Sequence, residues 1–212
     1  MIIAFEGIEN EKVKRSFTEA LSRFPALHDD PVLLERKELK GSTMQAQPIL
    51  SLANLFSKHR AYRVRISEFV RSSDILVDGL PENVLRGWFA HEFGHLSDFE
   101  GYTNFQMIGY GAKYLLSGKE RRNAEFRADE LALRAGFKED LLAALRWVLD
   151  NDQIDQAYKD KMGEYYMGID DIELWCHTDQ KAHIRGVIDV KGTARKMQLK
   201  KSEKVPVETE GQ

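Results

Sequence analysis

Cysteine is nearly absent from this chain: among 212 residues only Cys176 carries a thiol. A lone thiol forms no intramolecular disulfide and supports no cysteine-based metal cluster, so an oxidative framework is excluded. Long apolar runs are missing as well, and nothing approaches the roughly 20 residues needed to span a bilayer. The start, MIIAFEGIENEK, has no basic leader, and its short apolar run meets acidic residues at once. It does not read as a secretory signal, so the expectation is a cytoplasmic chain with no membrane partner. Charge of one sign is not in excess either. Thirty-one Lys and Arg stand against 34 Asp and Glu, a formal net charge of −3. With no helix-turn-helix pattern and no glycine-rich phosphate loop, that balance points away from a nucleic-acid partner. What remains, 42% hydrophobic and 31% charged residues, excludes wholesale disorder.

The length suits one domain. Ile2, Ile3 and Phe5 suggest a short strand that Gly7 ends. Val13, Phe17, Ala20, Leu21 and Phe24 recur at helical spacing, with Asn10 as N-cap and Pro25 just past the end. Residues 32–40, VLLERKELK, read as a strand. In 61–69, Tyr62, Val64 and Ile66 alternate with Arg63, Arg65 and Ser67, the pattern of a half-buried strand. Helices are expected over 81–99, with Pro81 in the first turn, then over 104–116, closed by Ser117-Gly118, and over 122–135, with Gly136 after it. Helices continue over 138–150, 152–162 and 170–184, with Gly163 and Gly168 as punctuation. The charged tail from 191 to 212 is expected to be disordered. This gives one domain over 1–190, with a chemical core from about 59 to 184.

The 81–99 helix contains His91-Glu92-Phe93-Gly94-His95. Histidines at i and i+4 lie one above the other on one helical face, so their imidazoles can converge on one metal ion. Glu92 sits about 100° round the helix from His91, off the metal axis but near enough to take a proton from a metal-activated water. A third ligand is needed. Asp98 is seven residues, about 10 Å, from His91 and fits a flanking or surface position. Glu125 and Asp129, in NAEFRADELALRAGF, are again spaced i, i+4. If their helix lies against the first, Glu125 can be the third ligand and Asp129 can accept the N–H of a ligand histidine. On their own, these carboxylates would suit a solvated face with Arg121, Arg122 and Arg127. With the histidine pair 30 residues upstream of Glu125, the metal reading is preferred.

HEFGH followed by NAEFRADELAL resembles the gluzincin metallopeptidases, most of all the CAAX-prenyl and heat-shock-type peptidases and the minimal soluble gluzincins. The resemblance spans about 80–137. It implies an α+β, mainly helical zincin-like domain with a small sheet before the active-site helix. It also implies zinc on His91, His95 and Glu125, Glu92 as general base, and Asp129 orienting a ligand. The implied activity is soluble zinc-dependent endopeptidase action on a protein or peptide substrate. Two features depart from relatives: integral-membrane members carry transmembrane helices, absent here, and the phage-repressor-cleaving type has Ala-Asn where this chain has Ala128-Asp129. The strand at 61–69 would be the edge strand that binds extended substrate, or an ordinary internal strand.

Peptide hydrolysis also needs an oxyanion donor. Tyr158, Tyr165, Tyr166, His177 and His183 are candidates, and Tyr165 and Tyr166, in GEYYMG, are preferred. Trp88, three residues before His91, either walls the pocket or packs in the core; Trp147 and Trp175 read as core. Two rival readings stay open: a metallohydrolase of a non-peptide amide or ester, and a zincin-like binding or regulatory protein that cleaves nothing. Oligomeric state is left open.

Overall fold

A computed structural model describes residues 1–50, 60–100 and 102–175. In chain order it contains β1 (Ile2–Glu6), α1 (Glu11–Ser22), β2 (Pro31–Arg36), β3 (Met44–Pro48), β4 (Tyr62–Ile66), α2 (Glu82–Phe99), α3 (Asn104–Leu116), α4 (Gly118–Arg134), α5 (Lys138–Asp150) and α6 (Gln156–Tyr165). All belong to a compact unit, Met1–Ile172. The class is α+β. Among the described residues no helix is long and apolar enough to cross a membrane.

The four strands form one mixed sheet in the order β1-β2-β4-β3. β1 and β4 flank β2 in parallel, and β3 closes the sheet antiparallel to β4, with Ala46 opposite Val64. The alternation read in 61–69 is realised: Tyr62, Val64 and Ile66 are buried, while Arg63 and Arg65 turn to the other face and hold Glu35 of β2. However, β4 lies inside the sheet. The edge beside α2 is β3, a strand the sequence reading did not contain. Met44-Gln-Ala-Gln-Pro48 has no β-branched residue, and its proline fits only an edge. Pairing with β4 makes it a strand.

Helix α2 is the centre of the unit. It packs on α1, α4, α5 and β3 and buries Val84, Leu85, Phe89, Ala90, Phe93, Leu96 and Phe99, apolar almost all round as an interior helix must be. Phe17 of α1 meets Phe89 and Phe93 edge-on, with ring centroids 5.2 and 5.0 Å away. Each such ring, removed from water, stabilises the fold by roughly 1.5–3 kcal/mol. At the C-terminus of α2, Arg60 donates to the Phe99 carbonyl at 2.7 Å and to that of Tyr102. A cation at the negative end of the helix satisfies carbonyls left without intrahelical partners.

Several boundaries move for local reasons. Pro81 is the N-cap of α2, one position before its first turn. Ser117 ends α3 and at once caps α4, accepting the Glu120 N–H at 3.3 Å, so α4 starts at Gly118 and not at 122. α6 starts at 156, not 152, because Asn151 accepts the Gln153 N–H and Asp155 that of Ala157, the turn and cap chemistry of short polar side chains. Gly163 lies within α6 and is no break. Gly136 does follow α4, in the left-handed region at φ +88°. Of the helix expected over 170–184, residues 169–175 are helical. The remainder, with Cys176, His177, His183 and the 191–212 tail, lies outside the described residues.

Candidate metal centre

The site is built where α2 and α4 touch. Gly94 of α2 faces Ala128 of α4 so closely that a Cβ on Gly94 would stand 2.2 Å from the Ala128 carbonyl oxygen. Ala124, Ala128 and Ala132 give α4 a buried face of small side chains. Only such residues let two helix backbones approach this near. The approach carries Glu125, which is 2% exposed, under the histidines of α2.

Glu125 Oε2 lies 3.0 Å from His91 Nε2 and 3.1 Å from His95 Nε2. The other sides of these groups are occupied. His91 Nδ1 donates to Asp129 Oδ1 at 2.7 Å, and the Tyr114 hydroxyl donates to Glu125 Oε1. Asp129 is itself fixed by the Met167 N–H, 3.0 Å from Oδ2. Two imidazole nitrogens thus meet one carboxylate oxygen, an arrangement that ring N–H groups donating to Glu125 satisfy without metal and that a cation replacing those protons would satisfy equally. His91, His95 and Glu125 could hold a metal ion, their donor atoms all within 4.8 Å of one another. Ligands on a tetrahedral ion at 2.0–2.1 Å stand about 3.3 Å apart, so each histidine–Glu125 separation needs only a slight outward adjustment.

The charges respond to this crowding. Burial alone would lower the His91 pKa, but Asp129 and then Glu125 raise it well above the usual imidazole value. Burial would raise Glu125, yet His95 and His91 hold it well below the carboxylate range. Glu92 is raised: burial dominates, His95 and His91 oppose it, and the Ala46 backbone bonds to it and also lowers it. The outer edge of β3 thus reaches Glu92, a contact no pattern in 44–48 announced.

A cavity of about 80 Å³ opens beside His91 and Glu92, walled by Trp88, Thr43, Tyr158, Met162 and Tyr166. Tyr166 stands with its ring 5.2 Å from that of His91. Burial first, then the Glu125 charge, keep its hydroxyl protonated far above the ordinary phenol range. Tyr165, its neighbour, is elsewhere: its ring lies under the Arg121 guanidinium at 5.3 Å and beside Gly118, outside the cavity. Consecutive residues at a helix end point in different directions, so the pair could not both face one site. Tyr158 lines the cavity, and burial raises its pKa too.

The structure therefore brings together His91, Glu92, His95, Glu125, Asp129 and Tyr166, and leaves Tyr165 out. Trp88 lines the cavity and meets Trp147 edge-on at 5.8 Å. Asp98 accepts from Arg127 at 3.0 Å and from Tyr110 at 3.2 Å, which ties α2 to α3 and α4 and gives the half-exposed Arg127 a partner on α2. Sequence reasoning missed Tyr114, Ala46 and Gly94. Of these, Tyr114 had a signal, because Met107, Tyr110 and Tyr114 at i, i+3, i+7 mark the inward face of α3. Comparison with family models, curated proteins and solved structures gave no match.

Proposed function

We propose that the chain is a zinc-dependent endopeptidase of gluzincin type with a zincin-like domain. The observation that carries this is the convergence of His91 Nε2 and His95 Nε2 on Glu125 Oε2, at 3.0 and 3.1 Å, beside a buried Glu92. Zinc held there would supply Lewis-acid chemistry, polarising a carbonyl and bringing the pKa of a water towards 7. The chain's own residues do the rest. Asp129 locks the His91 ring in the tautomer that leaves Nε2 free. Tyr114 occupies one Glu125 oxygen and leaves the other to the metal. Glu92 takes the proton of the attacking water and returns it to the leaving amine. The Tyr166 hydroxyl is the donor for the developing oxyanion.

One observation favours a second reading. A cavity of about 80 Å³ is below the usual size of a ligand pocket, as suits a zincin-like protein that binds or regulates without cleaving. Two measurements separate the readings. Elemental analysis should find near-stoichiometric zinc in the unmodified protein and a marked loss in Glu125→Ala. A casein or quenched-peptide digest should then proceed with the unmodified protein and stop in Glu92→Gln, with zinc retained. Zinc without any cleavage supports the non-cleaving reading. No zinc after supplementation at neutral pH ends the peptidase reading and leaves a binding or regulatory protein without metal.

A further inference from the structure

Helix α3 has two opposed faces. Met107, Tyr110 and Tyr114 point inward, where Tyr110 reaches Asp98 and Tyr114 reaches Glu125. Outward stand Phe105, Ile108, Leu115 and Leu116, exposed by 74, 53, 71 and 88%. With the exposed Ala112 between them, they form a stripe covering about 100° of the helix circumference. Four large apolar side chains in one stripe exceed what scattered surface residues explain.

The charge beside the stripe is one-sided, although the whole chain is net negative. From Thr103 to Arg122 the sequence carries Lys113, Lys119, Arg121 and Arg122 against Glu120 alone. Lys113, Lys119 and Arg122 are exposed. Lys113 lies on α3 itself, and Lys119 and Arg122 follow in the first turns of α4, with the exposed Glu120 the one acid among them; an apolar stripe accompanied by a surplus of cations is the pattern of a helix that lies in the plane of a lipid interface. Two copies meeting through this face would oppose like charges, which disfavours self-association. Among the described residues no helix is long and apolar enough to cross a bilayer, and attachment from one side requires none.

We infer that the outer face of α3, with Lys113, Lys119 and Arg122, docks the protein on an anionic lipid surface. The apolar stripe enters the boundary between headgroups and acyl chains, and the cations meet lipid phosphates. Docking is independent of whether the metal centre cleaves peptides.

The test is co-sedimentation of the full chain with vesicles of phosphatidylcholine alone and of equal parts phosphatidylcholine and phosphatidylglycerol. Binding to the mixed vesicles, weak binding to the neutral ones, and release by added salt are expected. Leu115→Gln with Leu116→Gln, and separately Lys113→Gln with Lys119→Gln, should each lower partition by roughly tenfold or more. These side chains are exposed, so circular dichroism and melting should not change. No binding to the mixed vesicles, equal binding to both kinds, or double variants that bind as the parent does would overturn the inference. So would self-association without lipid that the leucine substitutions abolish, which would make this face a contact between copies.

Discussion

The Tyr114 hydroxyl donates to the Glu125 oxygen that faces away from the histidines. One carboxylate oxygen is thus held by protein, and the other, Oε2, lies 3.0 and 3.1 Å from the two imidazoles. Tyr114→Phe removes the donor and leaves the ring in place. Zinc affinity, measured by competition with a chromogenic chelator, should fall by roughly tenfold. Unfolding by urea should show a loss of about 1 kcal/mol. Unchanged affinity would mean that α3 does not support the ligand.

Asp129 joins two elements, with one oxygen on His91 Nδ1 and the other on the Met167 N–H. Asp129→Asn keeps the shape but gives one of these donors an amide nitrogen to face. Metal affinity should drop roughly 10–100-fold, and the Met167 amide should exchange its hydrogen faster. If only the second effect appears, Asp129 anchors the 166–167 turn and does not orient the ligand.

Two glycines of α2 provide a matched pair of substitutions. A Cβ on Gly94 meets the Ala128 carbonyl oxygen at 2.2 Å, and one on Gly87 meets that of Asp140, on α5, at 2.3 Å. Each alanine should destabilise the fold by about 1–3 kcal/mol, since backbone must move in a packed interior. Only Gly94→Ala widens the gap between Glu125 and the histidines. Zinc affinity should therefore fall in Gly94→Ala and hold in Gly87→Ala; equal losses in both would show that general loosening is responsible.

Acid should weaken the sheet's ion cluster once its carboxyl takes up a proton. Burial raises the Glu35 pKa, but Arg65 and Arg63 outweigh it and bring it below its ordinary value of 4.5. A carboxyl depressed on folding stabilises the protein above its unfolded pKa, and that contribution disappears as pH falls through the folded value. Glu35→Gln should therefore cost about 1 kcal/mol at pH 7, allowing for partial solvent screening. The difference from the parent should shrink as pH drops below 4.5. A difference that stays constant with pH would assign it to packing.

What the sequence announced of the site is what helical periodicity determines. His91 and His95, and again Glu125 and Asp129, share a face because they are four residues apart, whatever else the chain does. Tyr166 and Tyr165 show the limit of that logic: the glycines round them suggest an irregular segment, yet Gly163 and Tyr165 belong to α6, and only the packed structure says which ring faces the histidines. Ala46 was beyond reach for another reason. Its strand exists through pairing with β4, a partner distant in sequence, and not through any preference of Met44–Pro48.

The seam between α2 and α4 fixes more than a distance. Glycine and alanine there have no rotamers to freeze, so the spacing of the helices rests on main-chain atoms in contact. Its order is established during folding, at an entropic cost already met before any ion arrives. A centre assembled in this way is preorganised: the apo protein should hold its three ligands almost as the loaded protein does, and ion binding should be accompanied by little change in helix position.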